Sequence, residues 1–206
     1  MDNTKRNLLI AAGAVGFGLS IKSKFSKTTS TRFTILYATR YGATYDAAKW
    51  IRQGIGTTTR LLSISDPDVS SHMQESDYLI VGSGIWTEGV HKGLTQVLDS
   101  TSEEIRRRVI ASFVVCGTRP NSIVRKNRIA GYLQQINQHL ENQPVFSEGF
   151  GGRLIFDQLS KPDRISIGKF YERIKREKTD WNWDRTDKNS TIEFGKMIND
   201  YETKFL

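Results

Sequence analysis

Two hydrophobic periods alternate along this chain. Phe33-Thr-Ile-Leu-Tyr-Ala38 is a short β-prone run that predicts a first strand. After it, Thr44, Ala47, Ala48, Ile51 and Ile55 recur at helical spacing, up to Gly54 and Gly56. Residues 60–64 predict a second strand. Asp66-Pro67-Asp68 then breaks the chain, with room for a short helix after it. Residues 78–82 are apolar throughout, as expected of a strand covered on both faces. Val90, Leu94, Val97 and Leu98 mark the next helix, and residues 109–116 a fourth strand. Ile129, Leu133, Ile136 and Leu140 mark another helix. A short fifth strand is expected from Pro144-Val145-Phe146, ending before Gly149. Ile167, Phe170, Tyr171 and Ile174 form an apolar stripe on a very basic segment. A final helix is expected to open with a capping box, Ser190-Thr-Ile-Glu193, and to present Phe194, Met197, Ile198, Tyr201 and Phe205.

Strands alternating with helices imply an α/β three-layer sandwich: a parallel sheet with right-handed crossovers and helices on both faces. Five strands fit the order 2-1-3-4-5. In such sheets ligands sit beyond the C-terminal strand ends, where the order reverses between strands one and three. The loops after Ala38 and Gly82 are therefore the first places to look for chemistry.

The pattern begins only near residue 32, so the domain is expected over 32–206 with a separate unit over 1–31. Residues 1–7 are polar and include Lys5 and Arg6, residues 8–21 are uncharged and apolar, and Lys22, Lys24 and Lys27 follow. That layout suits a signal peptide or a membrane anchor. At ~1.5 Å per helical residue the run falls short of a ~30 Å hydrocarbon core. Lys5-Arg6-Asn7-Leu8-Leu9 is similar to a twin-arginine export signal with lysine in place of one arginine. Three readings stand: an uncleaved anchor that makes the protein membrane-associated, a cleaved export signal, and an apolar tail on a cytoplasmic protein.

Composition narrows the chemistry. Lys and Arg number 30 against 22 Asp and Glu, a formal charge of +8, which favours anionic partners. No nucleic-acid-binding module is present in the sequence, so a nucleic-acid partner is not expected. The single cysteine, Cys116, excludes an internal disulfide and a Cys-rich metal centre. It ends an apolar run and is expected to be buried. His72, His91 and His139 lack metal-ligand spacing. His91 could handle substrate or a proton, or simply cap the helix that follows it.

The loop Thr39-Arg-Tyr-Gly42-Ala-Thr44 has the makings of an anion site. A helix start offers unpaired N–H groups and the positive end of the dipole. Gly42 permits a tight turn, and Thr39 and Thr44 add hydroxyls. It is not a Walker loop, since no Gly-Lys-Ser/Thr follows. The same residues also make an ordinary strand-to-helix turn. In the second loop, Gly82-Ser83-Gly84-Ile85-Trp86, the two glycines fall short of a dinucleotide fingerprint because Thr87 stands where a third is needed.

These motifs carry a resemblance. Tyr37-Ala-Thr-Arg-Tyr-Gly-Ala-Thr44 resembles the phosphate loop of flavodoxins, Ser/Thr-x-Thr-Gly-x-Thr, with Arg40 and Tyr41 between Thr39 and Gly42. It is closer still to the flavodoxin-type, menaquinone-dependent protoporphyrinogen oxidases, whose loop runs Ser-Thr-Arg-Asp-Gly-x-Thr, with Tyr41 at the acidic position. Asp77-Tyr-Leu-Ile-Val-Gly82-Ser-Gly84-Ile-Trp86 is similar to the next stretch of that family, although Trp86 stands where a basic residue is expected.

The resemblance implies a flavodoxin-like fold and FMN. Thr39, Arg40, Tyr41, Gly42, Ala43 and Thr44 would surround the phosphate. Gly82, Ser83, Gly84, Ile85 and Trp86 would wrap the isoalloxazine, and Gly117 and Thr118 would face its other side. Trp86 either stacks on the ring or covers the edge of the core. The implied activity is an FMN-dependent oxidoreductase that takes electrons from a reduced tetrapyrrole and passes them to a quinone. Two alternatives stand beside it: an electron-transfer module that works with a redox protein, and a scaffold without flavin. The third loop lacks the acidic aromatic signature of electron-carrier flavodoxins, and the chain is basic where those are acidic. The basic groups at 106–108, 125–128 and 161–178 are either solvated helix faces or a surface for anionic lipid or porphyrin propionates.

Overall fold

The computed structural model describes residues 33–205 except 57, 88 and 176. The apolar run at 8–21, the basic stretch after it and the boundary at 31 lie outside the described residues. Among the described residues no helix is long and apolar enough to cross a membrane.

A parallel five-stranded sheet, β1 (Phe33–Ala38), β2 (Thr59–Ser63), β3 (Tyr78–Gly84), β4 (Val109–Cys116) and β5 (Phe146–Gly151), runs in the order β2-β1-β3-β4-β5. This is the expected order. Alternation along each strand divides the core between two faces. Phe33 and Ile35 of β1, Ile80 of β3, and Phe113 and Val115 of β4 point to one side. There they meet Ala47, Ala48, Ile51 and Ile55 of α1 (Ala43–Ile55) and Phe194 and Ile198 of α7 (Lys188–Phe205). Leu36, Ala38, Leu79, Val81, Val114 and Cys116 point to the other side, against α3 (Lys92–Ser100) and α5 (Ile123–Asn137). Short helices α2 (Val69–Gln74) and α4 (Glu103–Arg106) complete that layer. The buried Thr34 hydroxyl lies 2.6 Å from Ser76 Oγ, so this polar group inside the sheet is paired.

α1 and α7 cross at Gly54 and Gly195. A methyl on Gly195 would stand 2.2 Å from Ile51 O, and one on Gly54 2.1 Å from Ile192 O. The backbones touch, which fixes α1 and hence the loop that precedes it.

Several boundaries differ from expectation. β3 continues through Gly84. β5 starts at Phe146 and runs through Gly149 to Gly151, because these glycines serve close packing rather than strand termination: a methyl on Gly149 would meet Ile129 at 2.3 Å. α5 starts earlier than its apolar stripe and ends before Leu140. α7 is capped by Asp187, whose Oδ1 accepts from Ser190 N at 3.0 Å, and not by a box opening at Ser190. Glu193 instead pairs with Lys196. Of the expected α7 face, Phe194 and Ile198 are buried, while Met197 is 54% exposed and faces solvent; the side chain of Phe205 lies outside the description.

Between β5 and α7 lies an insert over residues 153–187. It contains a two-residue antiparallel pair, β6 (Arg153–Leu154) and β7 (Trp183–Asp184), and α6 (Lys161–Arg173). It has its own small core of Leu154, Leu159, Ile167, Tyr171 and Trp181. Only half of the expected α6 stripe takes part, since Ile167 and Tyr171 are buried whereas Phe170 and Ile174 are exposed.

Candidate functional site

β1 and β3 are paired to their ends, with Ala38 opposite Ser83, so the first and second loops emerge side by side at the switch point. In the first loop Thr39 Oγ1 accepts from Gly42 N at 3.0 Å, closing the turn. Gly42 has φ 85°, a left-handed conformation that glycine adopts without strain. It is the N-cap of α1 and supplies no capping side chain, so no cap meets the first-turn amides. Ala43 opens the helix, and Thr44 is buried beside Gly84: a methyl there would meet Thr44 Oγ1 at 2.8 Å. The structure thus brings Thr39, Gly42, Ala43, Thr44 and Gly84 together.

In the second loop Gly82 lies under Phe113, whose ring would stand 2.1 Å from a methyl on it. Ser83 Oγ accepts from His91 N at 2.9 Å and donates to Gly84 O at 2.9 Å. Ile85 N donates to Val115 O at 2.9 Å. Trp86 packs against Tyr41, with ring centroids 5.6 Å apart, and the Arg40 guanidinium lies 4.9 Å from its ring centroid. Trp86 therefore packs on protein groups. His91 is the N-cap of α3, its Nδ1 accepting from Gly93 N at 3.1 Å, which is its capping role.

The third loop is where the sequence says least. Gly117 is covered by Trp183, whose Cη2 would stand 2.9 Å from a methyl on it. Arg185 donates to Gly117 O and stacks on Trp183 at 4.6 Å. Thr118 is half-buried, and its carbonyl accepts from Cys116 Sγ at 3.7 Å. Burial pushes the Cys116 thiol up, against the smaller opposing effect of that bond, so it stays neutral and inert.

Sequence reasoning missed three residues that complete the site: Arg153, Asp163 and Trp183. The buried Asp163 carboxylate accepts from Arg40 Nη2 at 2.6 Å and from the Tyr41 hydroxyl. Tyr41 Oη also accepts from Ser160 N at 3.0 Å. Arg153 comes from the insert to the first loop, its Nη2 3.6 Å from a methyl built on Gly42 and its Nη1 2.6 Å from Asp46 Oδ2. Burial would raise the Asp46 carboxyl, but hydrogen bonds from Lys49 and Arg153 overcome this and hold it below its ordinary value. The aromatic richness of Thr179-Asp-Trp-Asn-Trp183 was the only local signal for Trp183. Arg153 and Asp163 had none, since each is far in sequence from the loop it meets.

The two ends of this site differ in their fit to FMN. The phosphate end fits: an uncapped amide turn, two threonines and two guanidinium groups suit a dianion. The ring end does not fit as the insert stands. The cavity bounded by Tyr41, Trp86, Arg153, Leu154 and Leu159 measures about 20 Å³, room for about one water. A larger cavity, about 570 Å³, lies between Thr118–Pro120, the end of β5 and the start of α7. Its charges are mixed, with Arg119, Arg185 and Lys188 beside Asp184 and Asp187.

Elsewhere, Asp66, Asp68 and His72 bring possible ligand atoms within 4.8 Å of one another. These groups already serve the turn: Asp66 Oδ1 accepts from Asp68 N, and His72 Nδ1 lies 2.9 Å from Arg60 Nη1.

Comparison with known proteins agrees with this architecture. The sequence model of the flavodoxin domain matches residues 34–182. No curated protein matches the chain. Among solved structures, the flavodoxin WrbA-like protein of Agrobacterium tumefaciens is similar with a TM-score of 0.50 and 12% identity, over 85% of this chain and 99% of that one. The Flv1 flavodiiron core of Synechocystis sp. PCC6803 is similar with a TM-score of 0.50 and 12% identity, over 86% of this chain. There the match spans only 37% of the longer protein. At such identities the likeness is one of fold.

Proposed function

The chain belongs to the flavodoxin domain family, and we propose that it is an FMN-dependent oxidoreductase whose cofactor phosphate is held at the start of α1. The observation that carries the reading is the uncapped first turn of α1 behind Gly42, at the switch point of the sheet. Bound FMN supplies redox chemistry that side chains lack. The chain's own part is to bind and orient: α1 amides, Thr39 and Thr44 as donors, Arg40 and Arg153 as countercharge, and Gly84 as the point of closest backbone approach.

The finer reading is a protoporphyrinogen oxidase type, oxidising a reduced tetrapyrrole and passing electrons to a quinone. It rests on the wording Thr39-Arg40-Tyr41-Gly42-Ala43-Thr44 and on the basic, aromatic segment around α6. A membrane surface as partner, reached through the N-terminal run, accords with the exposed Lys161, Arg164, Lys169 and Arg173 of α6. The alternative of an electron-transfer module without its own substrate differs only in needing a redox protein.

A second reading has an observation of its own. The covered Gly117 and the closed cavity beside Trp86 favour a flavin-free scaffold. The visible spectrum after reconstitution with FMN and desalting separates the two. The redox reading expects a retained flavin spectrum, lost when Gly42→Asp and Thr44→Ala are combined, and then reduction of the flavin by protoporphyrinogen. A folded, colourless protein leaves the scaffold.

A further inference from the structure

The two ends of the site disagree about FMN, and the groups that close the ring end belong largely to one segment. We infer that residues 153–187 form a cover clasped over the ring position by Asp163, and that FMN enters when this cover lifts. The inference rests on the FMN reading above.

The insert is built to move as a unit. Its core of Leu154, Leu159, Ile167, Tyr171 and Trp181 is separate from the two clusters that flank the sheet. Trp183 is anchored to that unit, its Nε1 donating to Tyr171 Oη at 2.8 Å, and it is the side chain set against Gly117. Tyr41 and Trp86 pack on the same small core from the sheet side. A flat tricyclic ring cannot enter where Trp183 already covers Gly117 and where the cavity between Tyr41, Trp86 and Leu154 holds about one water.

The cover is fastened at two places: Arg185 donates to Gly117 O, and the first loop holds the other end. Arg40 and Tyr41 are both held by the carboxylate of Asp163, on the first turn of α6. Arg153, at the start of the insert, is held by Asp46 in the first turn of α1. Both guanidinium groups next to the anion site are thus paired with carboxylates while the cover is down. A phosphate at the α1 N-terminus is a charge-assisted acceptor of the same kind, and it competes for both. Its arrival loosens the clasp that keeps the ring position shut. Asp163 is then a positioning residue: it sets the fraction of molecules open to flavin, and the apparent affinity scales with that fraction.

The test uses the full chain with flavin removed. Amide hydrogen exchange of residues 153–184 reports the cover, and flavin fluorescence reports binding. FMN should speed exchange in the insert and slow it in the first turn of α1. Asp163→Asn should exchange quickly in the insert without FMN and bind FMN about tenfold more tightly. Riboflavin, which has no phosphate, should bind the variant, whose insert is already open, and should not speed insert exchange in the wild type. The cover is overturned if FMN binds with insert exchange unchanged, if Asp163→Asn binds no more tightly, or if riboflavin opens the wild type as readily as FMN. Absence of flavin binding in both proteins overturns the FMN reading itself. Should Asp163→Asn lose protection in β1 and β3, and so be unfolded, Tyr41→Phe removes the hydroxyl's bonds to Asp163 and from Ser160 N while keeping the carboxylate and its Arg40 partner. It should show the same changes at smaller amplitude.

Discussion

The phosphate loop and the insert face each other across one site and are built on opposite principles. The loop is six consecutive residues held by local geometry: a turn closed by Thr39, a left-handed Gly42 and the start of a 13-residue helix. That helix is locked from behind by the Gly54–Gly195 crossing. The insert is a satellite core joined to the body by ties that include Asp163 to Arg40 and Tyr41, Ser160 N to Tyr41, Arg153 to Asp46 and Arg185 to Gly117 O. A site made this way has a rigid anchor for one end of a ligand and an adjustable wall for the other, since small satellite units open at lower free energy than the main core.

The comparison breaks first if the anchor proves as tolerant as the wall. Gly195→Val forces a side chain into the Ile51 carbonyl and should cost about 3 kcal/mol of global stability, read as the urea midpoint. A loss within error of zero would mean that the α1–α7 contact is not what fixes the loop. Trp183→Ala should cost less, about 1–2 kcal/mol, because the ring is half-buried and gives up one hydrogen bond. Its effect should also be local, with faster exchange in the insert and little change in β1, β3 and β4. Equal losses for the two variants would make the insert part of the main cooperative unit.

The smallest effect is the most selective. The Asp46 carboxyl is held below its ordinary value of 3.8 by Lys49 and Arg153. A depressed carboxyl stabilises the fold above the unfolded-chain value, and the contribution is lost as pH falls through the folded value. Acidification below 3.8 should therefore weaken the Arg153 tie by at most about 1 kcal/mol, since its partners are partly exposed. Insert exchange should rise in that range while Asp46→Asn shows no such rise. A rise of the same size in the variant would assign the acid response to other carboxylates.

How much was legible follows the same division. The sheet order could be read because each strand carries its own period and the apolar runs at 78–82 and 109–116 have a single burial solution. The phosphate loop could be read because its geometry depends on neighbours in sequence. The boundaries that went astray are those where a long-range contact overrules a local rule. Gly149 and Gly151 read as strand breakers, yet they lie within β5 because Ile129 and the Arg185 backbone press against them. Ser190 reads as a cap, yet Asp187 three residues earlier takes the bond. The contacts of Trp86 with Tyr41 and Arg40 were not legible, because those partners lie far from it in sequence.

By itself the sequence determined the α/β class, the strand order and the position of the glycine turn that opens the first helix, because period, glycine placement and helix ends are local properties of the chain. Tertiary structure alone decided that Arg40 is engaged by Asp163, that Arg153 joins the phosphate loop and that Trp183 covers Gly117. Each of those contacts spans more than sixty residues of sequence, and none of the partners carries a local mark of the other.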